Sequence, residues 1–194
     1  VTSERFLKFF VNGFVWTILL KFLFLPRLRK ILPPEALGAV RVLEIGCGAG
    51  ESTKIFKTWF PRAFITATDY DASQVGEAIV RCASTPGIEF LAADASHLPH
   101  GNGLFDVVIE TNTFHHVKDW RLAIGEAGRV LKKGGIFAIM DEGRQITSFP
   151  VFRIIDRPES VFGIEDFGAE LKDAGMSIEE IKGRGIFYII AKKY

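Results

Sequence analysis

From Val40 to Glu142 the sequence alternates short apolar runs with longer stretches of helical pattern, and few architectures accept that rhythm. "VRVLEI" (Val40–Ile45), "AFITATD" (Ala63–Asp69), "IEFLAAD" (Ile88–Asp94), "FDVVIE" (Phe105–Glu110) and "GIFAIMDE" (Gly135–Glu142) read as strands, being short, apolar and bounded by turn formers. Between them, Glu51–Phe60 carries Ile55, Phe56 and Trp59 at helical spacing and stops at Pro61. Asp71 followed by Gln74 predicts a capping box opening a helix through Cys82. Asp119–Leu131 predicts a helix ended by Lys132, Lys133, Gly134 and Gly135, with cations where the helix dipole favours them. Further on, "IEDFGAELKDAG" predicts a helix closed by Gly175, and "MSIEEIKG" and "GIFYIIAKK" two strands joined hairpin-fashion through "GRG". Strands that alternate with helices need crossover connections, which give parallel pairing with both faces covered. The final pair has no helix between its strands, so one antiparallel strand is expected at that edge. The expected fold is α/β: a doubly wound, mostly parallel seven-stranded sheet with an antiparallel edge strand.

Residues 1–39 break the rhythm. "FLKFFVNGFVWTILLKFLFLPRLRK" (Phe6–Lys30) is apolar over most of its length and then basic. A helix apolar nearly all round is buried on most faces. A membrane span needs roughly 20 apolar residues with few charges, and Lys8 and Lys21 interrupt this one; "PRLRK" is no signal-peptide cleavage site. The segment is expected to cap the remaining domain, residues 40–194, and to border its pocket. Two further readings of the segment are peripheral membrane contact beside Arg27, Arg29 and Lys30, and a homodimer interface. With no initiator Met, the start reads as trimmed. Cys47 and Cys82 have no metal or redox spacing, which suits a reduced, cytoplasmic protein, and a net charge of +1 gives no reason to expect a polyanionic partner.

The turn after the first strand is "EIGCGAGE", with Gly46, Gly48 and Gly50 at alternate positions. In such sheets ligands sit beyond the carboxyl ends of the strands. A dinucleotide fingerprint would place a third glycine where Glu51 stands, and a carboxylate there repels a pyrophosphate. The pattern present is E-x-G-x-G-x-G, with Glu44 on the strand itself, which suits a ligand carrying a sulfonium and an amino-acid moiety but no phosphate.

"VLEIGCGAGEST" resembles motif I of the class I S-adenosylmethionine-dependent methyltransferases, and the resemblance continues in order over roughly Val40–Met140. "ITATDYDASQV" looks like the family's second strand, "FLAADASHLP" its third-strand segment, and "GLFDVVIETNTFHHVKDW" motif IV with the "HHV.D" tail of quinone- and small-molecule-type methyltransferases (methyltransferase type 11). "RVLKKGGIF" is similar to the "R.L.PGG" turn, with Lys133 where Pro is usual. The resemblance implies a Rossmann-like fold and S-adenosylmethionine as cofactor, S-adenosylhomocysteine as product. It implies a cofactor set of Glu44, Gly46, Cys47, Gly48, Gly50, Asp69, Tyr70, Gln74, Asp94, Ala95, Glu110 and Asn112. Within it Asp69 would accept from the ribose hydroxyls, Tyr70 lie near the adenine, Asp94 accept from the adenine amino group and Ala95 donate through its backbone.

Because a sulfonium is already an activated leaving group, such an enzyme mainly holds a nucleophile in line and excludes water. A phenolic acceptor would gain from a base, and His115 or His116, after the fourth strand, is the natural candidate; each also has a structural reading as a loop-holding hydrogen-bond donor. No third ligand near in sequence supports a metal site. His97 and His100 are expected to face solvent. Asp141 and Glu142 read either as acceptor-side groups or as solvated turn carboxylates. The aromatic segment Arg144–Gly163 reads as an acceptor lid near residues 142–163, with Phe149 and Phe152 setting specificity. Two apolar lids imply a small hydrophobic acceptor: a quinone, a lipid or an aromatic metabolite. No basic stripe interleaved with aromatics argues for nucleic acid. The alternative functional reading is a module that binds S-adenosylmethionine or S-adenosylhomocysteine without transferring methyl groups, docking through its N-terminal helix.

Overall fold

The structure, a computed structural model, describes residues 16–147 and 159–194. Phe6–Val15 of the apolar segment, and Phe149 and Phe152 of the expected lid, lie outside the described residues. Among the described residues seven strands form one sheet: β1 (Arg41–Ile45), β2 (Phe64–Asp69), β3 (Ile88–Ala92), β4 (Phe105–Thr111), β5 (Leu131–Glu142), β6 (Met176–Gly183) and β7 (Ile186–Lys193), in the spatial order β3-β2-β1-β4-β5-β7-β6. The first five run parallel, and β7 runs antiparallel to both neighbours, so the expected antiparallel strand slots between β5 and the outermost β6.

Side-chain alternation divides the core in two. Val42, Val107, Ile109, Ile136, Ala138 and Ile190 face α1 (residues 16–31) and α2 (Glu51–Trp59). Leu43, Val108, Phe137, Ile139, Phe187 and Ile189 face α4 (Trp120–Val130) and α5 (Ile164–Asp173). α3 (Ala72–Cys82) packs along β2 and β3. The phenylalanine surplus is spent on the second face: Phe162 and Phe167 lie 4.7 Å apart, each 5.0 Å from Trp120. Phe162 therefore anchors one end of the expected lid in the core.

α1 is helical over Trp16–Leu19, widens to a π-turn over Leu20–Phe24, and resumes over Leu25–Ile31. Pro26 accounts for the widening, since its ring cannot donate to, and would crowd, the Phe22 carbonyl one turn back. The inner stripe of Leu20, Phe24, Leu25, Leu28 and Ile31 is buried in the first core half, where Leu25 and Leu28 are 0% exposed. Among the described residues no helix is long and apolar enough to cross a membrane.

One boundary differs from the sequence reading. β5 starts at Leu131, directly after α4, and Lys132–Gly135 form a bulge within it, where pairing jumps from Phe105–Leu131 to Val107–Ile136. Leu131 is fully buried, and Lys132 reaches Asp106 at 2.5 Å. Burial of the leucine extends the strand through residues whose local signal is a turn.

Candidate functional site

At the carboxyl ends of β1, β2 and β4 the loops enclose a cleft of about 1240 Å³. Pockets for one drug-sized ligand commonly measure about 300–1,000 Å³, so this cleft has room for a nucleoside-sized ligand and a second molecule.

The three glycines have three different reasons, and all have positive φ. A Cβ on Gly46 would fall 1.9 Å from Thr113 Oγ1, so the loop after β4 occupies the space that a side chain would need. A Cβ on Gly50 would meet Ala78 and Cys82 of α3 at 3.1–3.2 Å, which makes Gly50 a helix-packing glycine outside the cleft wall. Above Gly48 the nearest atom is Gln74 Oε1 at 3.8 Å, and the space opens into the cleft. Gly48 is thus the glycine of the three whose bare backbone faces the open cleft.

Asp69 ends β2 and lines the cleft, accepting from the Gly48 N–H (2.8 Å, Oδ2) and the Asp71 N–H (3.0 Å, Oδ1). Each carboxylate oxygen has a second lone pair, so Asp69 fixes the glycine turn and retains capacity for a ligand. Tyr70 stands beside it at 82% exposure, an aromatic face at the cleft rim. Asp94 accepts from both the N–H (2.8 Å) and hydroxyl (2.7 Å) of Ser96, which hold its carboxyl below the usual range. Asp94 and Ala95 both line the cleft. Gln74 lines it too, which corrects the capping box: Asp71 caps α3 by accepting from Ser73 N–H at 2.8 Å, while its own N–H goes to Asp69 and not to Gln74. Glu51 is at the cleft, its charge met by Arg81 of α3. Cys47 is in the wall as well, where burial pushes its thiol up and keeps it protonated.

Glu44 and Glu110 lie behind the cleft wall and not in it. Neither side chain reaches the cleft wall; both are 0% exposed. Glu110 lies under the loop after β4 and accepts from the Thr113 N–H at 2.6 Å, with burial and nearby Asp141 pushing its carboxyl well above the usual range. Glu44 points beneath α2 and accepts from the Ser52 hydroxyl. Burial raises Glu44 from its ordinary value of 4.5 to about 7. With a folded pKa above the unfolded one, the proton stabilises the fold below pH 4.5, and that contribution is lost as pH rises through about 7. Between pH 5.5 and 7.5, denaturant unfolding of the wild type should lose about 2 kcal/mol more than that of Glu44→Gln. Parallel pH profiles for the two proteins would show that Glu44 carries its charge in the fold.

His115 and His116, adjacent in sequence, have opposite environments. The turn Phe114–His116 turns His116 into the cleft and His115 into the core, where it is 0% exposed. His115 Nδ1 lies 2.5 Å from Asp141 Oδ1, and Asp141 Oδ2 accepts the His115 backbone N–H at 3.3 Å. The two imidazoles are 4.0 Å apart between centroids. Asp141 and Glu142 are therefore buried, neither acceptor-side groups nor solvated turn residues. Asn112 lines the cleft with φ +58, the one non-glycine residue with positive φ among those described, and its N–H donates to Met140 at 2.7 Å. Asparagine tolerates this conformation better than most residues. His97 is exposed, whereas His100 is half-buried edge-on to Phe105 at 5.2 Å.

The sequence reading missed Thr113, whose signal was Gly46 itself: a glycine at so tight a turn implies a side chain packed over it. The N-terminal segment was expected to border the pocket without any residue being named, and Thr17 and Leu20 of α1 line the cleft; the reading also missed Ser160, whose N–H and hydroxyl tie the end of the expected lid to His115 O (2.9 Å) and Val117 O (2.8 Å). Among the described residues no group of side chains could hold a metal ion.

The family model for a methyltransferase domain matches residues 43–139, half of the chain. The malonyl-[acyl-carrier protein] O-methyltransferase of Geobacter sulfurreducens is 33% identical over 112 residues, covering 58% of this chain and 42% of that protein. The phthiotriol/phenolphthiotriol dimycocerosates methyltransferase of Mycobacterium tuberculosis is 33% identical over 107 residues, 54% of this chain and 38% of that one. The chain thus spans less than half the length of either curated relative. In fold it is similar to a chain from the Haloferax volcanii complex between the Trm112 methyltransferase activator and a methyltransferase, with a TM-score of 0.77 at 16% identity over 98% of this chain and 94% of that one. With the matching motifs spread over β1 to β5 in that topology, the chain belongs to the class I S-adenosylmethionine-dependent methyltransferases.

Proposed function

We propose that this chain transfers the methyl group of S-adenosylmethionine to a small hydrophobic acceptor. The observation that carries the reading is Gly48: bare backbone facing a large cleft, braced by the carboxylate of Asp69. The wall fits the cofactor's chemistry. Asp69 can accept from vicinal ribose hydroxyls, Tyr70 can stack on a purine, and Asp94 with the Ala95 backbone can meet an adenine edge. When bound, S-adenosylmethionine supplies a methyl group on a sulfonium, so the chain's own task is to orient the acceptor and keep water away. His116 is the one imidazole at the cleft beside the acceptor space and is the candidate base for a hydroxyl acceptor. His115 is a positioning residue beneath it. Leu20 of α1 adds an apolar wall, and one relative is named as a methyltransferase of phthiotriol and phenolphthiotriol dimycocerosates. Both favour a hydrophobic substrate.

Calorimetric titration with S-adenosylhomocysteine tests the cofactor half of this reading. Wild type should bind, and Asp69→Ala should bind at least about tenfold more weakly, about 1.5 kcal/mol or more for the lost charge-assisted hydrogen bonds. Undiminished binding by Asp69→Ala would remove Asp69 from the site. Binding without methyl release to any quinone, lipid or phenol would favour the non-transferring module.

A further inference from the structure

The outward side of α1 is apolar and exposed. Ile18, Leu19, Phe22 and Leu23, spaced i, i+1, i+4 and i+5, are 41%, 36%, 69% and 38% exposed, opposite the stripe that packs on the sheet. Phe22 gains nothing by standing in water; burying such side chains is worth roughly 25 cal/mol per Å². Along the sequence of this segment the charge has one sign. From Arg5 to Pro34 the sequence carries six cations (Arg5, Lys8, Lys21, Arg27, Arg29 and Lys30) and no acid. Lys21 and Lys30 are exposed, with Lys21 Nζ 5.4 Å from the Phe22 ring centroid. Exposed apolar side chains flanked by cations on one helix are the pattern that lies in the interface of an anionic bilayer. Thr17 and Leu20, interleaved with the exposed residues, line the cleft.

We propose that α1 seats the protein on an anionic lipid surface through Ile18, Leu19, Phe22 and Leu23, with Lys21 and Lys30 meeting the headgroups. This placement sets the cleft rim against the bilayer. It deepens the hydrophobic-acceptor reading by giving such an acceptor a route that avoids water, but docking itself needs neither cofactor nor acceptor.

The test is flotation of the full chain with vesicles of phosphatidylcholine alone or with about one-third phosphatidylglycerol. Wild type should float with the anionic vesicles and be released by about 0.5 M NaCl, as screening requires. Phe22→Ser/Leu23→Ser and Lys21→Glu/Lys30→Glu should each lower the bound fraction about tenfold, with melting temperature unchanged because these side chains are exposed. Three results would overturn the proposal: no flotation by wild type, flotation unaffected by both variants, or a wild-type dimer in light scattering that Phe22→Ser dissociates. The last would make the face a contact between copies. Because flotation is read without methyl transfer, its failure leaves the catalytic reading intact.

Discussion

Replacing Asp141 with Ala is expected to destabilise the protein by about 3 kcal/mol or more, because it leaves several buried donors without their acceptor. Three donors converge on this carboxylate: His115 Nδ1 at 2.5 Å, the His115 N–H at 3.3 Å and the Glu142 N–H at 2.6 Å. With Asp141 and His115 both 0% exposed, no water replaces the missing acceptor. The damage should reach the site, because the turn held through His115 is the turn that presents His116 to the cleft. Asp141→Asn retains a carbonyl acceptor and should lose less than half as much. Urea unfolding of the three proteins decides it: equal stability of wild type and Asp141→Ala would mean that the turn is held by other contacts.

The second large effect separates two neighbouring glycines. Gly46→Ala should cost about 3 kcal/mol or more, because its Cβ overlaps Thr113 and its φ is +77. Gly48→Ala, at φ +49 with nothing closer than 3.8 Å, should cost only the backbone strain of about 1–2 kcal/mol. Its methyl group projects into the cleft, however, so its S-adenosylhomocysteine affinity should fall more than its stability suggests. Thr113→Gly should recover part of the Gly46→Ala loss by emptying the contested space, while the strain of the positive φ remains. Denaturation and calorimetry on the same variants read both halves. A pattern in which Gly48→Ala is the less stable protein and Gly46→Ala the weaker binder by binding alone would reverse the assignment.

What was legible in the sequence follows from range. The strands of the parallel sheet and α2, α3 and α4 were readable because each is a local pattern of burial: Ile55 and Phe56 on α2, or the run Val107–Ile109 on β4. β5 was misjudged at its start because Lys132–Gly135 carry a turn signal, and only pairing of Leu131 with Phe105 overrides it. The glycine turn announced a site but not which way its neighbours point. Glu44 sits one residue from Ile45 at the strand end, and strand alternation aims it beneath α2 instead of into the cleft. His115 and His116 look equivalent in sequence; the difference between them is made by Asp141, 26 residues away. Thr113 over Gly46 is likewise a contact between loops of different strands. Local pattern locates a site, and its interior is decided by contacts between distant segments.

The place of β7 has a consequence for how the protein is made. It follows β6 in sequence but lies inside it in space, bonded to β5 on one side and β6 on the other. As the chain leaves the ribosome, β6 emerges before β7, the strand it pairs with. Until residues 186–193 follow, β5 offers an open edge beside Phe137 and Ile139, and the aromatic cluster lacks Phe187. Unpaired edges of this kind invite pairing with other chains. A stalled or nicked chain that stops short of Ile186 is therefore not a slightly shortened protein but a sticky one.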